Sequence, residues 1–111
     1  MREAATDVLI VLTNLPDRAT AVKLAQMLID KRLAACVNVL AEVCSVYRWK
    51  EGVAMESEVP VLIKTCGARY GEVEAAILAA HPYELPEIVV VPVVRGLPKY
   101  LEWVVGETVA D

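Results

Sequence analysis

Val8 to Leu12 is an unbroken apolar run of strand length, and Asn14-Leu15-Pro16-Asp17 stops it. Asp17 is a residue type that caps helices, because its carboxylate can accept from the free N–H groups of a first turn. Ala21, Leu24, Ala25, Leu28 and Ile29 then recur at helical spacing, with Arg18, Lys23, Gln26, Asp30 and Lys31 largely elsewhere on the wheel. The spacing predicts a helix over 17–32. From Ala34 to Trp49 the chain is rich in Val and aromatics and holds neither Gly nor Pro. Lys50-Glu51-Gly52 is a turn signal, and a second extended stretch runs from Val53 to Cys66. In it Met55, Val59, Val61 and Ile63 share one face while Glu56, Glu58 and Lys64 share the other. The two stretches read as one long β-hairpin. Pro60 cannot donate a ladder hydrogen bond, so a bulge or an edge position is expected there.

A second helix is predicted over 69–80, with Val73, Ala76, Ile77 and Ala80 as its buried stripe. Pro82 ends it and pushes His81 away from helical geometry. Glu87 to Val94 is a near-continuous Val/Ile run, as in a covered strand. Gly96-Leu97-Pro98 leads into a short terminal helix carrying Tyr100, Leu101, Val104 and Val105. The order predicts an α+β fold, a ferredoxin-like β-α-β-β-α-β sandwich with its helices on one face, a long hairpin and a short C-terminal helix, in one domain over 1–111. Strands of about 14 residues reach roughly 45 Å. A globule of this length is only ~35 Å across. The hairpin is therefore expected to reach a second molecule.

Composition strengthens that expectation. Apolar residues make up 57% of the 111 residues, with no Phe, so the excess is aliphatic and belongs either to an unusually large core or to surface that a second copy buries. The net charge of −4, with 11 Lys and Arg scattered among 15 acids, excludes the basic footprint of a nucleic-acid binder. No apolar run approaches the ~18 residues of a membrane span. Arg2 followed by Glu3 and Asp7 does not read as a signal peptide, and a cytoplasmic address is expected. Cys36, Cys44 and Cys66 are an odd set without CxxC spacing, expected to stay free.

Candidate chemistry is sparse. His81 is the only histidine, and it reads either as a structural hydrogen-bonder before proline or as a metal ligand with Glu84 and with Glu87 beyond it. Tyr47 and Trp49, two apart, share one strand face as packing aromatics or as the wall of a cleft. Lys64 is the matching polar candidate, either snorkelling to water or meeting an acid or anion. Val43, Val46, Tyr47, Trp49, Val59 and Val61 are the expected oligomer contacts. No GxSxG, P-loop, GxGxxG or HExxH motif occurs, so no enzyme is expected.

Several segments in order are similar to the CutA family of divalent-cation-tolerance proteins: Leu33-Ala34-Ala35-Cys36-Val37-Asn38, Tyr47-Arg48-Trp49, Ile63-Lys64-Thr65 and His81-Pro82-Tyr83-Glu84-Leu85-Pro86-Glu87-Ile88. The resemblance implies a homotrimer whose hairpins wrap neighbouring subunits. In such an assembly Tyr47, Trp49, Lys64 and Tyr83 are the candidate lining of an inter-subunit cleft. It also implies a link to divalent cations, copper above all. The family's copper ligands are a Cys at the end of strand 1 and two adjacent His at the end of helix 2. Here Thr13 (or Leu12) and Ala80-His81 stand at those places, so His81 with Glu84 is the remaining metal pair, binding Cu²⁺ or another divalent ion weakly, with no cofactor required. The alternatives are a PII-like signalling trimer with a small anionic ligand in the cleft, and a structural partner protein.

Overall fold

The computed structural model describes residues 4–109. Its elements are β1 (Val8–Leu15), α1 (Arg18–Asp30), β2 (Cys36–Val39), β3 (Val43–Trp49), β4 (Gly52–Cys66), α2 (Tyr70–Ala80), β5 (Ile88–Pro92) and α3 (Pro98–Glu107). A single 3₁₀ turn, Gly67–Arg69, leads into α2. The sheet runs β2-β4-β1-β5, every pairing antiparallel, with β3 paired to the far part of β4. This is the topology expected of the β-α-β-β-α-β order. No helix among the described residues is long and apolar enough to cross a membrane.

Alternation along the strands decides which face is buried. Val11 and Leu15 of β1 and Val59, Val61 and Ile63 of β4 meet Ala21, Leu24 and Leu28 of α1 and Val73 and Ile77 of α2 in one core. Val59 and Val61, expected at an oligomer contact, lie instead inside this core, 4% and 0% exposed. The apolar pattern that marked them as contacts is the sheet's inward face. Lys64 alternates with Ile63 and so lies on the other face, where its ammonium stands 5.9 Å from the Tyr100 ring of α3. The third helix thus covers the sheet from the side opposite α1 and α2, a placement that the β-α-β-β-α-β pattern leaves open. Val104 and the Cys66–Thr108 contact are buried beneath it.

Local chemistry sets the helix ends. The Asp17 carboxylate accepts from the Thr20 N–H at 2.8 Å, and that bond holds its pKa below the usual value. At the other end of α1, Arg32 takes a left-handed φ of 56°, a conformation an L-residue adopts at a cost. Arg69 closes over this turn, donating to the Arg32 and Lys31 carbonyls while pairing with Glu72 at 2.7 Å.

The expected first hairpin strand, 34–49, is broken into β2 and β3. Val39 lies opposite Val61 and Val43 opposite Glu58, so the chain advances four residues on one side and three on the other. One residue is therefore extra near Ala41, which is a β-bulge. It lies beside Pro60, whose carbonyl accepts from the Leu40 N–H. Backbone groups of one strand residue point to the same neighbour. The N–H that Pro60 lacks would thus have faced β2 and β3, at the point where the ladder breaks. The fifteen residues of β4 would reach ~50 Å if straight, and the molecule measures 44 × 30 × 23 Å.

Candidate functional site

The bulge determines what the hairpin presents. A one-residue shift reverses the facing of every later side chain. Beyond it, Val43 pairs with Glu58, Ser45 with Glu56 and Tyr47 with Ala54. The odd-numbered residues of β3 thereby join the even-numbered carboxylates of β4 on one face. Tyr47 and Trp49 end up beside Glu56 and Glu58 for this reason, and all four line a groove of about 830 Å³.

The opposite wall is the segment after α2. Pro82 forbids another helical turn, and His81 is extended, φ −86° and ψ 130°. Its ring is buried and carries two hydrogen bonds. Nε2 meets the Asn14 carbonyl at 2.5 Å, and Nδ1 faces the Tyr83 N–H at 3.3 Å. A carbonyl only accepts and an amide N–H only donates, so the ring is the Nε2–H tautomer with its Nδ1 lone pair in use. The Val8 carbonyl accepts from Val93, which shows that even-numbered residues of β1 direct their backbone groups toward β5. Asn14 is the next such residue beyond the first residue of β5, Ile88, and the His81 ring supplies the donor there. The Asn14 side chain ties the far end of the same segment by donating to Glu87 Oε1 at 3.0 Å. Held at both ends, the segment sets Tyr83 over the groove, its ring centroid 4.5 Å from that of His81.

The groove is acidic and aromatic. Glu56, Glu58, Glu84 and Glu87 line it, with Arg48 as the lining cation. Glu58 is 8% exposed. Burial, and then the Glu58 carboxylate, pushes the Tyr83 phenol up to about 12. Burial and then Glu56 raise Tyr47 in the same way. On the rim, the Lys50 ammonium lies 5.6 Å from the Trp49 ring centroid and 3.5 Å from Glu84 Oε2.

Of the residues singled out from sequence, Tyr47, Trp49, Tyr83 and Glu84 meet here. Lys64 does not: it shares the β4 face of Glu56 and Glu58 but stands six residues beyond Glu58, about 20 Å along the strand, where it meets Tyr100 of α3. His81 lies behind the wall with both nitrogens bonded, and Glu84 turns to Lys50 rather than to the imidazole. Thr13, where the resemblance would set a thiol, is buried with its hydroxyl unpartnered. No group of three or more His, Cys, Asp or Glu suited to a metal ion occurs among the described residues. A chelated ion therefore does not fit the arrangement of these side chains. Glu56 and Glu58 were legible only as a polar strand face, because the bulge that brings the aromatics to them has no residue signature beyond Pro60. Asn14 acts partly through its carbonyl, which every residue possesses.

A family profile for the CutA1 divalent ion tolerance protein matches residues 9–107. The Divalent-cation tolerance protein CutA of Thermus thermophilus is 37% identical over 94 residues, covering 85% of this chain and 91% of that protein. Mouse Protein CutA is 38% identical over 98 residues, and there the match spans 86% of this chain but 55% of the relative. The solved structure of the divalent cation tolerance protein (Cut A1) of Thermus thermophilus superposes with a TM-score of 0.89 at 36% identity, covering 91% of this chain and 98% of the other. From β1 through α3 the sequence and the fold agree with these proteins, and the chain belongs to the CutA1 divalent ion tolerance family.

Proposed function

We propose that this chain is a cation-binding protein without catalytic activity, working in the cytoplasm as a homotrimer of single-domain subunits and taking divalent cations weakly at its acidic groove. The observation that carries the reading is the charge of that groove, four carboxylates against the single guanidinium of Arg48. A concave surface lined by one sign of charge concentrates counter-ions. The tolerance to divalent cations named for the relatives is the same chemistry. With the His81 nitrogens bonded, the attraction comes from carboxylates that do not converge on one point; Glu56, Glu84 and Glu87 are exposed, and Glu84 is the one already engaging a cation, that of Lys50. Oxygen-only sets hold borderline metals such as Cu²⁺ less tightly than mixed nitrogen and oxygen sets.

The trimer reading is supported by the hairpin's other face, where Val46, Val53 and Met55 are 60%, 71% and 69% exposed. Such contiguous apolar surface marks an interaction site. Val43, Tyr47 and Trp49 border it on the neighbouring face. A signalling trimer with an anionic ligand in this groove is disfavoured by the same four carboxylates.

Two measurements test the proposal. Light scattering of the purified chain gives three times 12.1 kDa if it is a trimer, and a stable monomer at micromolar concentration refutes that part. Calorimetric titration of Cu²⁺ and Mn²⁺ gives weak binding that Glu84→Gln reduces and His81→Gln leaves in place. Loss of binding in His81→Gln alone would return the imidazole to the role of ligand.

A further inference from the structure

We infer that the groove recognises an organic dication, a short aliphatic diamine or polyamine, in preference to a bare metal ion. The inference rests on reading the groove as a cation site and names the ligand class. It starts at the rim, where the chain already binds a primary ammonium of its own. Lys50 Nζ lies 5.6 Å from the Trp49 ring centroid and 3.5 Å from a Glu84 oxygen. An aromatic face plus a carboxylate is the pairing that receives ammonium groups elsewhere.

Elsewhere along the groove an aromatic residue again stands beside a carboxylate, here joined to it through the phenol hydroxyl. Tyr47 neighbours Glu56 and Tyr83 neighbours Glu58, as the raised phenol pKa values of both tyrosines reflect. Glu58 is nine-tenths buried, yet no Lys or Arg among the described residues forms an ion pair with it. Its hydrogen-bond partner is the neutral Tyr83 phenol, so the buried carboxylate is bonded but has no counter-charge. Buried charges are ordinarily paired, because desolvation is costly. A cation entering the groove would supply the pair.

The spacing argues for two charges on one ligand. Glu56 and Glu58 are two residues apart on one strand face, so their side chains leave the backbone ~7 Å apart. That is about the separation of the nitrogens in a four-carbon diamine. A metal ion instead needs ligands converging on one point, and no group of three or more suitable side chains does so. The aliphatic part of a diamine would lie against the Tyr47 and Tyr83 rings, a contact that a hydrated ion cannot use.

The test is calorimetric titration at pH 7.5 and low salt with 1,4-diaminobutane, spermidine and n-butylamine, and separately with Mn²⁺. Trp49→Leu lies on an exposed position and is expected to fold. Glu58→Gln is buried, and its fold is checked by circular dichroism before it is used. In a Trp103→Phe background, Trp49 fluorescence gives a readout independent of heat. The expected result is diamine binding at least tenfold tighter than n-butylamine, a change in Trp49 emission, and at least tenfold weakening in both variants. Equal affinity for diamine and monoamine, or unchanged diamine binding in Trp49→Leu, overturns the inference. Metal binding without diamine binding overturns it while leaving the proposed function standing. Diamine binding without metal binding supports it and refutes the divalent-metal part of that function. Binding of neither refutes both.

Discussion

Replacing His81 with Leu removes a ring that joins three backbone segments while keeping the site filled. Two polar groups lose their partners, the Asn14 carbonyl and the Tyr83 N–H. An orphaned buried donor or acceptor costs about 1–3 kcal/mol. Both bonds are partly buried, the Asn14 one short and the Tyr83 one longer, so the sum is set at roughly 2–4 kcal/mol. In a domain of this size each kcal/mol moves Tm by about 4–8 °C, which makes a drop of at least about 8 °C the expected outcome. The assay is urea unfolding followed by far-UV circular dichroism, at one fixed protein concentration because oligomers gain stability by mass action. His81→Gln is the necessary companion, since its amide carries both a donor and an acceptor and should recover part of the loss. A His81→Leu protein within 0.5 kcal/mol of the parent would refute the reasoning. So would a ring in the Nδ1–H tautomer, read from its nitrogen chemical shifts.

Three further outcomes follow from the same geometry. Arg69→Ala should lower stability by about 1–2 kcal/mol in urea unfolding, because Arg69 donates to the Lys31 and Arg32 carbonyls behind the left-handed turn; Arg69→Lys, without the planar fork, should recover less than half. Tyr83 should titrate near 12 in ultraviolet difference spectra, so its contribution to stability is complete below the ordinary phenol value of 10 and is lost as pH rises through about 12; Glu58→Gln should bring the titration down. Deleting Ala41 should remove the bulge and turn Tyr47 and Trp49 to the other hairpin face, which a red-shifted Trp49 emission in Trp103→Phe would report; unchanged emission would mean that the facing is set elsewhere.

The elements were legible because their signals are local. Asp17 before an apolar stripe gave α1 its start, Pro82 gave α2 its end and Pro98 opened α3. The first strand continues to Leu15, beyond the predicted Leu12, because β4 offers Val61, Pro60 and Val59 as partners, and pairing extends a strand past its most apolar residues. The position of α3 was not legible. Its amphipathic pattern says that it packs, but both faces of this sheet carry apolar residues, and only tertiary structure chooses between them. The same ambiguity misassigned Val59 and Val61. A buried apolar alternation in a long strand looks identical whether a helix of the same chain or another subunit covers it.

The groove shows why site residues are harder to read than folds. Its aromatics stood out, and so did Glu84 and Glu87 beside the histidine, but the two strand carboxylates did not, since Glu56 and Glu58 on a strand with Met55 and Val59 resemble any solvated edge. What joins the two sets is a one-residue irregularity in the partner strand, together with a proline that cannot complete the ladder beside it. The opposite wall depends on a carbonyl, that of Asn14, one step beyond the first residue of β5. Both walls are therefore built where a regular hydrogen-bond ladder stops. The Asn14 carbonyl released there must find a partner, which the His81 imidazole supplies, and the Asn14 side chain adds a bond to the Glu87 carboxylate, so that both ends of the 81–87 segment are held over the hairpin. The lone histidine can thus be indispensable to the site without touching a ligand. A substitution at His81 that weakens cation binding is evidence for coordination only if His81→Gln, which keeps a donor and an acceptor in place, weakens it equally.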